Sequence, residues 1–210
     1  MLWMYAVCAL SLLVCLPFFM HYKKALRYKL AAAFKSLGTL CAASLALTAA
    51  LRLDERCWIC FAALLLHTVA DYFLEFNIWL GTGFFIAGHI CYIGFFTGLC
   101  PVSSVHLIAA LCLLAIVAIL FWRWRKEIGK QMPMFCVYGS VLSVTMACAI
   151  SCLSMHTLPG QLIAVGGALF FISDALVLGR LLFSATGAVN WVIMITYYSA
   201  QLLFGLSCLL

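Results

Sequence analysis

Two aspartates at the ends of apolar stretches are the residues best suited to chemistry in this sequence. Asp174 ends the run of residues 166–174, GGALFFISD, and Asp71 ends the run of residues 62–71, AALLLHTVAD. An ionised carboxylate in hydrocarbon costs at least about 2.5–3.5 kcal/mol, so an intramembrane Asp marks a functional site by default. Two carboxylates in one low-dielectric cavity cannot both ionise cheaply, so one is expected to stay protonated. Such a pair supplies a general acid and a general base together.

Polar side chains recur at a similar depth in four other apolar stretches. Lys35 is expected to hold one aspartate ionised, and Arg180 is placed to bind an anionic group beyond Asp174. Glu75, one turn after Asp71, is expected at the rim. The predicted binding residues are Lys35, His89, Tyr138, Arg180, Tyr197, Tyr198 and Gln201. At 1.5 Å of helix rise per residue the intramembrane groups lie about 6–13 Å from one end of their segments, which predicts one polar cavity. The alternative is that a neighbouring helix satisfies each group locally.

Other reaction chemistries have weaker support. The sequence contains neither a Gly-x-Ser-x-Gly motif nor a His-Glu-x-x-His motif, so the usual serine and zinc hydrolase signatures are missing. Cys57 and Cys60 form a CxxC pair, which leaves a membrane redox protein as a minor alternative. His67, Asp71 and His89 are a weaker candidate set for zinc. The predicted acid/base site requires no cofactor and no metal.

The elements that must position these residues are membrane-spanning helices. Of 210 residues, 68% are hydrophobic and 9% are charged, more apolar surface than one soluble core could hide. The sequence therefore predicts an all-α, polytopic membrane protein with a single domain over residues 1–210. Windows of about 20 residues give eight segments. These segments are predicted at 2–21, 30–51, 57–75, 80–98, 103–122, 132–153, 160–182 and 188–209.

The distribution of basic residues predicts the orientation of these segments. Nine of the twelve Lys and Arg residues lie in or next to the connections after segments 1, 3, 5 and 7. The positive-inside rule places those connections in the cytoplasm and both termini on the non-cytoplasmic side. The first segment precedes its basic cluster, unlike a signal peptide, so it is expected to be retained. The sequence does not choose between a bacterial inner membrane and the endoplasmic reticulum.

The segments that end in the two aspartates look alike. They are four segments apart, so both cross the membrane in the same direction. This predicts a four-plus-four parallel repeat about an axis along the membrane normal, as in some transporters.

Several motifs resemble those of the YhhN-like lysoplasmalogenase family, from about residue 30 to the C-terminus. The motifs are GALFFISD at 167–174, YYSAQ at 197–201, ADYFL at 70–74, GHICY at 88–92 and KSL at 35–37. Two positions depart from the family pattern. Ala70 stands where the family usually has Gly, and Gly38 stands where it often has Pro.

The resemblance implies hydrolysis of the vinyl ether bond of a lysoplasmalogen. The products would be a fatty aldehyde and glycerophosphoethanolamine or glycerophosphocholine, with Asp71 and Asp174 as the catalytic residues. A protonated Asp would deliver a proton to the β-carbon of the vinyl ether, and an ionised Asp would stabilise the resulting cation and activate water. The partners are then a lysophospholipid in the bilayer and membrane lipids. No nucleic-acid motif is present.

Several questions stay open at this level. The headgroup preference, the assignment of acid and base, and the formation of a homodimer are not determined by the sequence. A proton-coupled secondary transporter of a small or lipid-like substrate is the alternative function, because buried Asp, Lys and His residues also suit proton-coupled transport.

Overall fold

The computed structural model describes residues 2–183 and 187–210, and every regular element in these ranges is helical. Eight helices are long and apolar enough to cross a membrane, which confirms the all-α, eight-helix prediction. They are α1 Leu2–Lys24, α2 Tyr28–Arg52, α3 Cys57–Leu74, α4 Ile78–Leu99, α5 Ser104–Arg123, α6 Met132–Ser151, α7 Leu158–Phe183 and α8 Gly187–Ser207.

Local sequence signals explain where several helices begin. The Asn77 side chain accepts hydrogen bonds from the backbone N–H groups of Trp79 and Leu80, both at 3.1 Å, and so caps α4. Proline occupies the first turn of α6, where its missing N–H would have no helical partner in any case. In the connection before α3, Asp54 accepts a hydrogen bond from the Arg56 side chain, which keeps the pKa of this external carboxyl below its usual value.

Six of the helices form a closed ring. Going round it, α2 packs on α3, α3 on α4, α4 on α6, α6 on α7, α7 on α8, and α8 returns to α2. The other two lie outside, α1 mainly against α2 and α5 mainly against α6. A short π-helical stretch in α1, Leu10–Cys15, meets α2 where the Ser11 hydroxyl donates to the Gly38 carbonyl at 3.0 Å.

The packing order has a twofold pattern. Replacing α1 to α4 by α5 to α8 reproduces each of the packed pairs, including the return contact between the two halves. This is the arrangement expected for a parallel repeat, and it agrees with the predicted likeness of the segments that end in Asp71 and Asp174. The two aspartates therefore occupy equivalent helices, α3 and α7, on opposite sides of one ring.

Candidate active site

Asp71 lies on α3 in a buried site that supplies several donors. The Lys35 ammonium nitrogen is 3.2 Å from Asp71 Oδ1. The Thr39 and Tyr197 hydroxyls both donate to Oδ2, the latter at 2.8 Å. Lys35 and Thr39 are four residues apart, so they face α3 from adjacent turns of α2. An ammonium and two hydroxyl donors around one fully buried carboxyl favour its ionised form.

Asp174 lies on α7 in a much sparser environment. The Tyr138 hydroxyl of α6 donates to Asp174 Oδ2. No Lys or Arg is paired with Asp174 among the described residues, and its side chain is only partly buried. The equivalent helices α2 and α6 thus provide an ammonium to one aspartate and a phenol to the other. The two carboxyls are chemically unlike, as an acid/base pair requires.

Both aspartates line one cavity of about 310 Å³ inside the helix ring. Four of the seven predicted binding residues line this cavity with the two predicted catalytic residues, namely Lys35, Tyr138, Arg180 and Tyr197. Most of the remaining wall is apolar, and its members are Phe19, Met20, Leu74, Ile78, Phe85, Met134, Phe135, Val177, Ile193 and Met194. The cavity is therefore suited to a molecule with one polar reactive group and an apolar body.

The cavity mouth lies at the end of the bundle that carries the basic connections. Lys23, Glu75, Arg180 and Asn190 line this end, and Lys23 forms an ion pair with Glu75 across α1 and α3. The Lys23 side chain is 43% exposed while that of Glu75 is 5% exposed, so the mouth reaches the surface of the bundle. Arg180 Nη1 donates to Asn190 Oδ1 at 2.9 Å, which holds the guanidinium at the mouth. Glu75 is at the rim, as predicted.

His89 and Gln201 do not line this cavity and belong to a second buried polar layer. Gln201 Nε2 is 2.7 Å from His67 Nδ1, and the Tyr92 hydroxyl donates to Gln201 Oε1 at 2.7 Å. His89 packs against the His67 and Phe170 rings, with centroids 4.9 and 4.8 Å away. His67 lies four residues before Asp71 on α3, and Gln201 lies four residues after Tyr197 on α8. The layer is therefore about one helical turn, about 5.4 Å, further from the mouth.

The predicted single polar band is thus two layers, and Tyr198 belongs to neither. Its hydroxyl donates to the backbone carbonyl of Lys35 at 3.0 Å. Its ring lies so close to Gly38 that a Cβ there would come within 2.6 Å of the ring. Tyr198 therefore packs and hydrogen-bonds against the α2 backbone next to Lys35, and Gly38 permits this close approach.

The geometry gives little support to a redox site at Cys57 and Cys60 or to a zinc site. The Cys57 and Cys60 thiols point at two different carbonyls of the C-terminal part of the chain, those of Cys208 and Phe204, at 3.9 and 3.7 Å. Within residues 2–183 and 187–210, no group of three or more His, Cys, Asp or Glu is arranged to hold a metal ion.

Thr39 is a site residue that sequence reasoning missed. A threonine in a helix rich in Ala and Leu carries little signal by itself. Its spacing of four from Lys35 was the available indication, since it places both side chains on the face of α2 that meets Asp71.

The comparisons with known proteins place the chain in a family. Neither a curated protein nor a solved structure matches it. The family model that matches is that of the YhhN family, over residues 30–208, which omits α1 and the last two residues. The match spans both aspartates and every residue described at the site except Phe19, Met20 and Lys23 of α1. The predicted resemblance is confirmed, and the chain belongs to the YhhN family, the lysoplasmalogenase family.

Proposed function

We propose that this protein hydrolyses the vinyl ether bond of lysoplasmalogens inside the membrane. The products are a fatty aldehyde and glycerophosphoethanolamine or glycerophosphocholine. Membership of the YhhN family suggests a lysoplasmalogenase-type hydrolase. The observation that carries the proposal is the pair of unlike aspartates on one cavity. Asp71 is ion-paired to Lys35, whereas Asp174, among the described residues, is hydrogen-bonded to the Tyr138 hydroxyl alone.

The surroundings of the two carboxyls support an assignment of roles that the sequence left open. Asp71 is the ionised member, because Lys35, Thr39 and Tyr197 all favour its charge. Asp174 is the proton donor, because a hydroxyl is its one side-chain donor among the described residues and it lines the cavity. Tyr138 donates to one oxygen of Asp174 and leaves the other oxygen free to carry the acidic proton.

The reaction follows from these roles. Asp174 transfers its proton to the β-carbon of the vinyl ether, and the α-carbon becomes an oxocarbenium cation. The negative charge of Asp71 stabilises this cation, and water attacks the α-carbon as Asp71 accepts its proton. The hemiacetal then separates into an aldehyde and the free glycerol hydroxyl. Transfer of the proton back to Asp174 restores the starting state.

The cavity mouth supports binding of the headgroup. Arg180 is six residues after Asp174 on α7, about 9 Å of helix rise, and it lines the mouth of the same cavity. A guanidinium is well suited to a phosphate because its N–H groups form a planar fork. We place the phosphate of the substrate at Arg180, with the vinyl ether deeper in the cavity between the aspartates.

The distribution of charge supports an orientation for the reaction. The mouth lies at the end with the basic connections, which the positive-inside rule assigns to the cytoplasm. The proposed enzyme therefore takes lysolipid from the cytoplasmic leaflet, and both termini are on the opposite side.

Aldehyde release in heavy water tests the proposal. Purified protein in detergent, incubated with a lysoplasmalogen in D₂O, should release an aldehyde that carries one deuterium on its second carbon. The matched control is the saturated alkyl ether, which has no double bond to protonate and should stay intact. If no aldehyde forms, the proposed function is wrong; if aldehyde forms without deuterium at that carbon, the proton-transfer step is wrong.

A proton-coupled secondary transporter is the second candidate, and the repeated packing order favours it. Parallel repeats around a central site are common in transporters, and a buried Lys–Asp pair also suits proton coupling. Detergent removes the two compartments that transport requires. Catalytic aldehyde release under that condition would therefore separate an enzyme from a transporter.

A further inference from the structure

A second, apolar pocket touches Asp174 from the lipid side. Its volume is about 130 Å³, and it lies between α5, α6 and α7. It shares Phe135, Tyr138, Asp174 and Val177 with the main cavity, and the rest of its wall is apolar. Ile116 and Ala175 line it and are also exposed on the outer surface of the bundle. The pocket therefore runs from the face that meets lipid to the acid of the proposed reaction.

The packing of α5 explains why this space stays open. This helix packs mainly against α6, and Phe121 is the one buried side chain among those described in it. Gly139 allows a close approach between the two helices, since a Cβ there would lie 2.9 Å from the Phe121 ring. The helices meet along this seam, and the groove beside it, facing α7, is left unfilled.

The equivalent seam in the first half of the chain is filled. There α1 packs against α2 through the stacked rings of Phe18, Tyr22 and Phe34, with centroids 5.0–6.1 Å apart. The twofold packing pattern would allow a groove in each half, but aromatic side chains occupy the seam between α1 and α2, whereas the pocket beside Asp174 is open. The open groove is thus on the side of the aspartate assigned as the proton donor.

We propose that the pocket between α5, α6 and α7 binds the hydrocarbon chain of a single-chain lipid. This inference rests on the proposed function, because the atom that accepts the proton from Asp174 is itself the second carbon of the chain. The following methylenes therefore begin beside Asp174, and the apolar pocket is continuous with that point. The same pocket gives the chain a path into the cavity from the bilayer. One pocket for one chain also explains a preference for lysolipids over two-chain lipids.

A photoreactive chain tests this placement without requiring hydrolysis. The probe is a saturated ether lysophosphatidylethanolamine with a diazirine in the middle of its chain, and the control is a two-chain phosphatidylethanolamine with the same diazirine. We expect the single-chain probe to label, in excess over the control, the residues of this pocket that do not line the main cavity. They are Ile116, Val117, Leu120, Phe121, Gly139, Leu142, Phe171, Ala175 and Leu178. Labelling concentrated instead on Phe19, Met20 and Met194, or a pattern equal to that of the two-chain control, would overturn the proposal.

A pair of alanine substitutions sharpens the test. Ala175 lines the pocket, whereas Ala118 is exposed on α5 and does not. Ala175→Trp should reduce the pocket labelling about 10-fold or more, a loss of about 1.4 kcal/mol of binding, because the indole would take the space that the chain needs. Ala118→Trp should leave the labelling unchanged, and equal labelling of both variants would contradict the pocket. Pocket labelling in a protein that releases no aldehyde would refute the proposed hydrolase but support the chain-binding pocket. Aldehyde release without pocket labelling would support the hydrolase but refute the chain-binding pocket.

Discussion

Replacing Lys35 by Met should destabilise the protein strongly, and replacing its partner at the same time should recover much of the loss. The Asp71 side chain is fully buried and that of Lys35 is 11% exposed, so water cannot solvate a carboxylate left alone. Removing one partner of a buried ion pair typically costs about 3–5 kcal/mol. Thr39 and Tyr197 still donate to Asp71, so we expect Lys35→Met to cost about 3 kcal/mol, at the low end of that range.

A double-mutant cycle in detergent measures this effect. Lys35→Met/Asp71→Asn removes both charges, so its free energy of unfolding should be closer to wild type than that of Lys35→Met alone. Lys29→Met, at an exposed position on the same helix, is the matched control and should change stability by less than about 0.5 kcal/mol. Additive effects in the cycle, or a Lys35→Met protein as stable as the control, would refute the ionised state assigned to Asp71.

Three further predictions concern the second carboxyl, the mouth and the topology. Tyr138→Phe removes the hydroxyl that donates to Asp174 and should lower kcat about 10-fold or more. Thermal unfolding checks that the fold survives, and an unchanged kcat would exclude Tyr138 as a positioning residue. Arg180→Ala should raise KM more than it lowers kcat, because contacts to a non-reacting phosphate bind ground and transition states alike. Arg52→Ala at the opposite end is its control, and an unchanged KM for Arg180→Ala would place the phosphate elsewhere. A C-terminal reporter that is active only in the cytoplasm should stay silent, and a strong signal would reverse the proposed orientation.

The sequence predicts the helices, and it singles out the two aspartates that line the cavity. Long apolar runs leave few alternatives to membrane-spanning helices, and the cost of a carboxylate in hydrocarbon singles out Asp71 and Asp174. Lys35 was predicted as a charge partner on the same grounds, and the structure places it 3.2 Å from Asp71. For Asp71, Asp174 and Lys35, a charged residue within an apolar segment was enough for the prediction.

The division into two polar layers could not be read from the sequence. His89 and Tyr197 lie at the same depth when helix rise is counted from predicted segment ends, so the sequence predicts one cavity for both. In the structure α3 and α8 pair their polar residues turn by turn, Asp71 with Tyr197 and His67 with Gln201. The difference of one turn, about 5.4 Å, is within the error of segment boundaries predicted from hydropathy.

The unequal surroundings of the two aspartates also required the structure. Similar sequences precede Asp71 and Asp174, so the sequence does not favour either carboxyl as the acid. Their difference comes from other helices, since α2 provides Lys35 to one carboxyl and α6 provides Tyr138 to the other. Long-range partners of this kind depend on the packing order of the ring.

The most direct test of the carboxylate pair is the kcat for aldehyde release by Asp71→Asn, Asp174→Asn and the double variant. Asn keeps the side-chain volume and removes either the charge or the transferable proton. Each single substitution should therefore lower kcat about 100-fold or more, the usual contribution of one positioned acid or base. The double variant should be little worse than the poorer single variant, because the two carboxyls act as one unit. A folded Asp174→Asn or Asp71→Asn protein with near wild-type kcat would contradict the account.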